Sequence, residues 1–375
     1  ESEAPAEMHF FFPEYKALCM AENCSGTMHN ILTLRGALVR DSLQWSKYID
    51  EALERWGDSA NLVFASHGWP HWGKDAVRGY LTRQRDLYRW LHDQAMRLAN
   101  LGYTPNEIAA EVTLPPGLWD DFMCHGYYGT VSHNVRAVYQ RYIGFYDGHP
   151  SSLDPHTPVE VGKRYVDFMG GIEDLLEKAK KAFKEGDYKW VAEVLRHAVF
   201  ANPENEAVRL LQADAFEQLA YQAESGPWRD IYLTGAQELR NGSINVPVLQ
   251  RPRLEVAKGM TLGQIFDFLA VKVNGNAAVK LSPMTINWSF SDTNENAYLE
   301  LSNGTLHSKI GPIIRSTDLE IVSSRDVLEE LISTEYSITQ ALEEKRIDIE
   351  GNVEKFLNFW ETLTDFPLFW PIIEP

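Results

Sequence analysis

Cysteine is scarce. The chain carries three in 375 residues, Cys19, Cys24 and Cys124, too few for a disulfide framework and without zinc-ribbon spacing. Cationic residues are also in the minority, 35 Lys and Arg against 53 Asp and Glu, for a formal charge of −18. That balance argues against nucleic acid or an anionic membrane as the main partner, because both select a positive surface. An anionic substrate would need a local cation against an unfavourable global field. Long hydrophobic runs are missing too, and none approaches the ~20 residues of a membrane span. No secretory leader is visible. Position 1 is Glu rather than Met and the sequence reads as starting mid-fold, so that says little about compartment.

What remains is an ordinary globular composition, 44% hydrophobic and 12% aromatic, long enough for more than one domain. Short apolar runs around a turn in residues 9–22 predict two strands ending at Glu22. Ser25 or Thr27 is expected to cap a helix running to about Leu38, and Asp41–Trp56 reads as an amphipathic helix. Asn61–Ser66 reads as a buried strand with His67 just past its C-terminal end. Lys74–Asp147 is predicted helical, with a capping box at Thr104–Glu107 and a helix from Val131. Ser151–Thr157 reads as a linker. Helices of tetratricopeptide-like spacing follow, covering about one and a half repeats. Gly, Asn and Pro at 241–252 mark a boundary. Beyond it an α+β unit is expected: a helix at 261–271, strands at 284–290, 297–301 and 319–323, and helices at 324–333 and 352–363. The tail from Phe366 is apolar and must pack or line a surface.

Acid, histidine and arginine recur at element ends in the first seventy residues: Glu3, Glu22, His29, Arg35 and His67. Strand ends in layered α/β folds are where ligands bind. Carboxylate and imidazole together suit zinc or a similar divalent ion. Arg35, expected on the helix after Glu22, offers a bidentate fork for a tetrahedral anion. His29 is placed to polarise a leaving oxygen or bind the same anion. Each residue alone also fits a turn, a cap or a surface ion pair. The residues by themselves leave a metal hydrolase and no site at all both open.

The segments Glu3-Ala-Pro-Ala-Glu7, Ala21-Glu22-Asn23, His29-Asn-(x)2-Thr-Leu-Arg35-Gly, Ser66-His67-Gly-Trp-Pro and Tyr142-(x)2-Phe-Tyr-Asp-Gly-(x)-Pro150 resemble the alkyl sulfatases of the metallo-β-lactamase superfamily, and the resemblance spans the chain. It implies an α/β, then α, then α+β architecture. Residues 1–73 would be the second part of a metallo-β-lactamase-like αββα domain, 74–242 a helical dimerisation domain and 253–375 a sterol-carrier-protein-like domain. It implies Glu3, Glu22 and His67 as ligands of two zinc ions, with Glu22 bridging them. Arg35 is implied as the sulfate-binding cation and His29 as the acid toward the leaving group. Tyr128, His133 and Asn134 would lie close to substrate.

The family's first zinc motif, His-x-His-x-Asp-His, does not occur in these residues, and His67 and His71 have the wrong spacing to replace it. The chain is therefore expected to be the C-terminal fragment of a longer protein. Its expected partners are the N-terminal portion of the same protein, a second copy in a homodimer, and an alkyl sulfate such as dodecyl sulfate. The implied reaction gives alcohol and inorganic sulfate by attack at sulfur or at carbon. The family's habit of export implies a periplasmic or secreted location. Trp288, Phe290, Phe356, Phe359 and Trp360 are candidates to line an alkyl groove, or else plain core. The aromatics at 127–146 suit a dimer surface or the core of the helical domain. Two other functions compete: a different hydrolase of the superfamily, and a non-catalytic lipid-binding or scaffold protein.

Overall fold

Two short runs of apolar residues around a turn at Pro13–Lys16 open the chain, and they pair as Phe10–Phe12 (β1) antiparallel to Ala17–Cys19 (β2). The computed structural model describes residues 2–243, 254–312, 316–333, 336–367 and 369–375. It divides into one unit of Glu1–Gly242 with Pro371–Pro375, and a second of Ser243–Trp370.

In the first unit Leu62–Phe64 (β3) pairs parallel to β2, and His71–Trp72 (β4) closes the sheet antiparallel to β3. The crossover between β2 and β3 carries Ser42–Trp56 (α1), capped by Asp41, whose carboxylate accepts from the amides of Leu43 and Gln44. Lys74–Ala99 (α2) packs on α1. Pro105–Glu111 (α3) starts at the expected capping box. Pro116–Trp119 (α4) and Val131–Tyr142 (α5) follow, α5 capped by Thr130. One apolar core runs through all of these, from Leu18 and Trp45 to Tyr88 and Val138. Residue 73 is therefore not a break in packing. The strands before it and the helices after it share one interior.

Pro158–Phe168 (α6), Ile172–Lys184 (α7), Tyr188–Ala201 (α8), Glu206–Gln222 (α9) and Gly226–Asn241 (α10) form the helical hairpins that the repeat-like spacing predicted. They surround a second core of Leu175, Val191, Leu195, Val208 and Leu239. Part of the apolar tail is used here. Ile373 packs on that core, the Ile372 amide donates to Glu238 (3.3 Å), and Glu374 pairs with Arg209.

The expected boundary at 241–252 falls mostly outside the described residues. The second unit opens with Leu254–Gly259 (α11), Leu262–Lys272 (α12) and Gly275–Ala278 (α13). Its strands are Met284–Phe290 (β5), Glu295–Ser302 (β6), Thr305–Ile310 (β7), Leu319–Ser323 (β8) and Ile347–Gly351 (β9). They form one sheet in the order β7-β6-β5-β8-β9, with only β5 and β8 parallel. Arg325–Ile332 (α14), Ile338–Glu343 (α15) and Val353–Trp360 (α16) complete the α+β unit.

Two expectations need correction, and one open alternative is decided. The helix from Ser25 to Leu38 does not form. That segment is a loop whose backbone groups are held by distant side chains, and tertiary bonds override the local helix preference. Strands β4, β7 and β9 were missed: β4 is two residues long, β7 is mostly polar, and β9 is only five residues long although its Ile347-Asp-Ile349-Glu alternation matches its burial. Of the two readings of the second unit's aromatics, core packing is the one observed. Trp288, Phe290, Phe356 and Phe359 are at most 1% exposed and stack on one another as core. The Trp288 indole donates to Ser323 Oγ at 2.9 Å.

Candidate functional site

The loop from Met20 to Arg40 leaves β2 and crosses the C-terminal ends of β2 and β3. Its shape comes from hydrogen bonds to three helices. The Tyr80 hydroxyl on α2 accepts from the Gly26 amide (2.8 Å) and donates to the Cys24 carbonyl (2.7 Å). The Tyr88 hydroxyl accepts from the His29 amide (3.1 Å). Trp45 on α1 donates to the Asn23 carbonyl (2.9 Å). Asn134 on α5, fully buried, accepts from the Ile31 amide (2.8 Å) and donates to the His29 carbonyl (2.9 Å). The backbone of His29 runs so close to Gly129 that a Cβ there would sit 2.4 Å from the His29 carbonyl oxygen. These buried bonds hold the loop in one conformation, although Asn23 Oδ1 and Thr33 Oγ1 within it are buried without a hydrogen-bond partner among the described residues.

The loop places Glu22 between two imidazoles. Glu22 Oε1 lies 2.7 Å from His67 Nδ1, and Oε2 lies 3.8 Å from His29 Nε2. The Glu22 amide donates to Glu7 Oε1 at 3.1 Å. His67 stands where the sequence predicted, one loop beyond β3, on an exposed side chain. The left-handed Gly68 (φ +85°) lets this loop pass against Ser25 and Gly26. His29 is buried. Its Nδ1 donates to the Asn30 carbonyl (2.9 Å), which turns Nε2 toward Glu22. Burial, aided by the Arg40 charge, lowers its pKa to about 4. Burial thus favours the neutral ring.

Glu3 reaches the same site from the segment before β1. It is paired with Arg40, whose guanidinium also donates to the Glu3 carbonyl (2.9 Å), the Asn30 carbonyl (2.8 Å) and Asn30 Oδ1 (2.8 Å). Burial raises the Glu3 carboxyl above its usual range, and Arg40 opposes the rise. Arg40 itself is 9% exposed. Sequence reasoning missed it. A lone arginine before a helix cap carries no motif, and only the long-range contacts reveal its role.

Glu3, Glu22, His29, Arg35 and His67 open onto one cavity of about 640 Å³, closed on its other side by Trp69, Phe122, Tyr127 and Tyr128. Arg35 sits on a turn, not on a helix. Among the described residues it has no hydrogen-bond or ion-pair partner, so its fork is free for an anion. Tyr128 lines the cavity and stacks near His29, with centroids 4.8 Å apart. His133 and Asn134, expected to touch substrate, do not line it. His133 Nε2 donates to the Leu32 carbonyl (2.6 Å), and both residues hold the loop from behind.

Two carboxylates and an imidazole are the donor types zinc takes. Their number falls short. Among the described residues no group of three or more His, Cys, Asp or Glu side chains is arranged to hold a metal ion. Glu22 and His67 converge, while Glu3 is turned onto Arg40.

Residues 104–242 match the family model described as alkyl sulfatase dimerisation, and 252–375 match alkyl sulfatase C-terminal. A linear primary-alkylsulfatase of Pseudomonas sp is 43% identical over 374 residues, covering 100% of this chain and 55% of that protein. A second linear primary-alkylsulfatase, from Pseudomonas sp. strain ATCC 19151, is 30% identical over 94% of this chain and 68% of its own length. The solved stereoselective inverting sec-alkylsulfatase from Pseudomonas sp. superposes with a TM-score of 0.94 at 42% identity, over 100% of this chain and 59% of that one. The chain thus spans little more than half the length of the first of these relatives.

Proposed function

The chain belongs to the alkyl sulfatase family, and from that premise we propose that it is part of an enzyme that hydrolyses alkyl sulfate esters to an alcohol and inorganic sulfate. The observation that carries this reading is the unpartnered Arg35 guanidinium opening onto the same cavity as the Glu22–His67 pair and His29. A sulfate monoester carries one negative charge and three terminal oxygens, and a single planar fork matches it.

Within the cavity Arg35 grips sulfate oxygens and offsets charge that develops there. His29 lines the pocket beside that fork as the candidate acid toward the leaving oxygen, its ring orientation set by the bond between Nδ1 and the Asn30 carbonyl. Tyr128 closes the side of the pocket next to that imidazole. The aromatic rings opposite thin out water around the reacting groups, which strengthens each of these interactions. We include zinc in the proposal, held by Glu3, Glu22 and His67 together with ligands outside these 375 residues. Zinc bound there would supply Lewis acidity and lower the pKa of water toward neutrality. Engaging Glu3 would require it to share or leave Arg40.

The proposal extends to a homodimer through the helices of residues 104–242, supported by the dimerisation model matched there. It extends also to action in the periplasm or outside the cell on detergent-like sulfates. No described helix is long and apolar enough to cross a membrane. Incubating the whole protein with dodecyl sulfate and zinc, then measuring free sulfate and dodecanol, tests the reaction. Release of both in equal amounts is expected; release of neither overturns it.

A further inference from the structure

Five aromatic rings extend outward from the cavity as a connected strip. Trp69 and Phe122 have centroids 6.4 Å apart, Phe122 and Tyr127 4.8 Å, Tyr127 and His125 5.5 Å, and His125 and Trp119 5.5 Å. Trp69 is 72% exposed, Trp119 57% and Phe122 50%. Large aromatics grouped at the surface leave apolar area in water without a packing gain, and such a patch marks a binding surface. The strip is also rigid. Asp121 caps the turn bearing Phe122 by accepting from the Met123 amide (2.8 Å) and pairs with Arg83 on α2. The Gly226 amide donates to the Tyr127 carbonyl (2.8 Å), Ser225 Oγ donates to the Tyr128 carbonyl (2.7 Å), and Glu224 bonds His125 (2.8 Å). Rings held this way lose little further freedom when a ligand arrives.

Trp69, Phe122 and Tyr127 share the cavity with Arg35. The lining thus combines a guanidinium with no hydrogen-bond or ion-pair partner among the described residues and several aromatic rings. That polarity matches an amphiphilic anion. In the second unit Trp288, Phe290, Phe356 and Phe359 are packed core. We propose that Trp69, Phe122 and Tyr127 form the subsite for the alkyl chain of the sulfate ester, with Trp119 continuing it outward for longer chains. The proposal rests on the sulfatase reading and adds where chain-length preference is set. A methylene placed on an apolar wall is worth about tenfold or more in specificity, so a chain laid along several rings gains over a short one.

The test uses the whole protein with octyl sulfate and ethyl sulfate. Binding of each is measured by calorimetry, and sulfate release by ion chromatography. The variants are Trp69→Ala, Phe122→Ala and the milder Phe122→Leu. The wall predicts that the ratio of kcat/KM for octyl over ethyl sulfate falls by about tenfold in the alanine variants, mainly through KM, and less in Phe122→Leu. It predicts the same loss of preference in binding. An unchanged preference in both readouts overturns the wall even if turnover continues. So does a change in oligomeric state without a change in preference, which would make the strip a protein interface. Preferential octyl sulfate binding that depends on the wall, without sulfate release from either ester, leaves the wall standing and overturns the sulfatase reading.

Discussion

Arg35 and Arg40 stand five residues apart and do opposite things. Arg40 is buried and saturated with partners, while Arg35 is exposed with none among the described residues. The contrast predicts separable phenotypes. Arg35→Ala should leave the unfolding midpoint in place and lower kcat/KM for an alkyl sulfate by roughly 10²–10³-fold, the usual cost of removing one donor to developing charge. Parallel denaturation and initial-rate measurements on the whole protein check it. Arg40→Gln should instead destabilise the first unit by about 1–3 kcal/mol, because Glu3 and the Asn30 carbonyl lose charged donors. A urea melt of that variant reads this directly. Of the single residues, Glu22, His67, His29 and Arg35 were legible in the sequence as a cluster, and the structure brings all four to one cavity. Arg40 was not legible, since nothing local marks a buried arginine. His133 and Asn134, also singled out in the sequence, do not line the cavity and bond the backbone of the 20–40 loop instead.

At the scale of elements, the loop of residues 20–40 decides the site, and it is held by α2 and α5 rather than by its own sequence. Asn134→Ala would strip the Ile31 amide and the His29 carbonyl of their partners. A loss of about 1–3 kcal/mol in stability is expected, with a fall in activity. Burial also lowers the pKa of His133, whose Nε2 donates to the Leu32 carbonyl. The folded state thus favours the neutral ring. The unfolded chain takes up the proton more readily, so this stabilisation is present above the ordinary histidine pKa of about 6.5 and is lost as pH falls below it. Each fully shifted proton contributes a slope of up to about 1.4 kcal/mol per pH unit. His133→Gln, which retains a donor for Leu32, should flatten the fall in melting temperature between about pH 7 and pH 5, the range in which the unfolded ring titrates. An unchanged slope would remove His133 from the account. Elements with strong local signals, such as α1, α3, β5 and β8, were readable in advance. The expected helix over 25–38 was not, because hydroxyls and an amide from helices far along the chain compete for its backbone. At the sheet edges β7 is too polar to mark a strand, while the Ile347-Asp-Ile349-Glu alternation of β9 was legible and passed over.

On the scale of the whole molecule, the first unit supplies an aromatic-lined cavity that carries Arg35 together with the Glu22–His67 pair. The order of parts, from α/β through helices to α+β, followed from composition and pattern. The single core across residue 73 did not, because a continuous interior leaves no mark in the sequence. The unit that closes on the tail through Ile373 and Glu374 likewise required the structure. The most direct measurement is sulfate release from an alkyl sulfate by the whole zinc-loaded protein, with Glu22→Gln assayed beside it and zinc content determined for both. The account predicts equal amounts of sulfate and alcohol from the unmodified protein, and from the variant a loss of at least about 10³-fold together with weakened zinc retention. Full activity in Glu22→Gln, or no sulfate from the zinc-loaded unmodified protein, would contradict it.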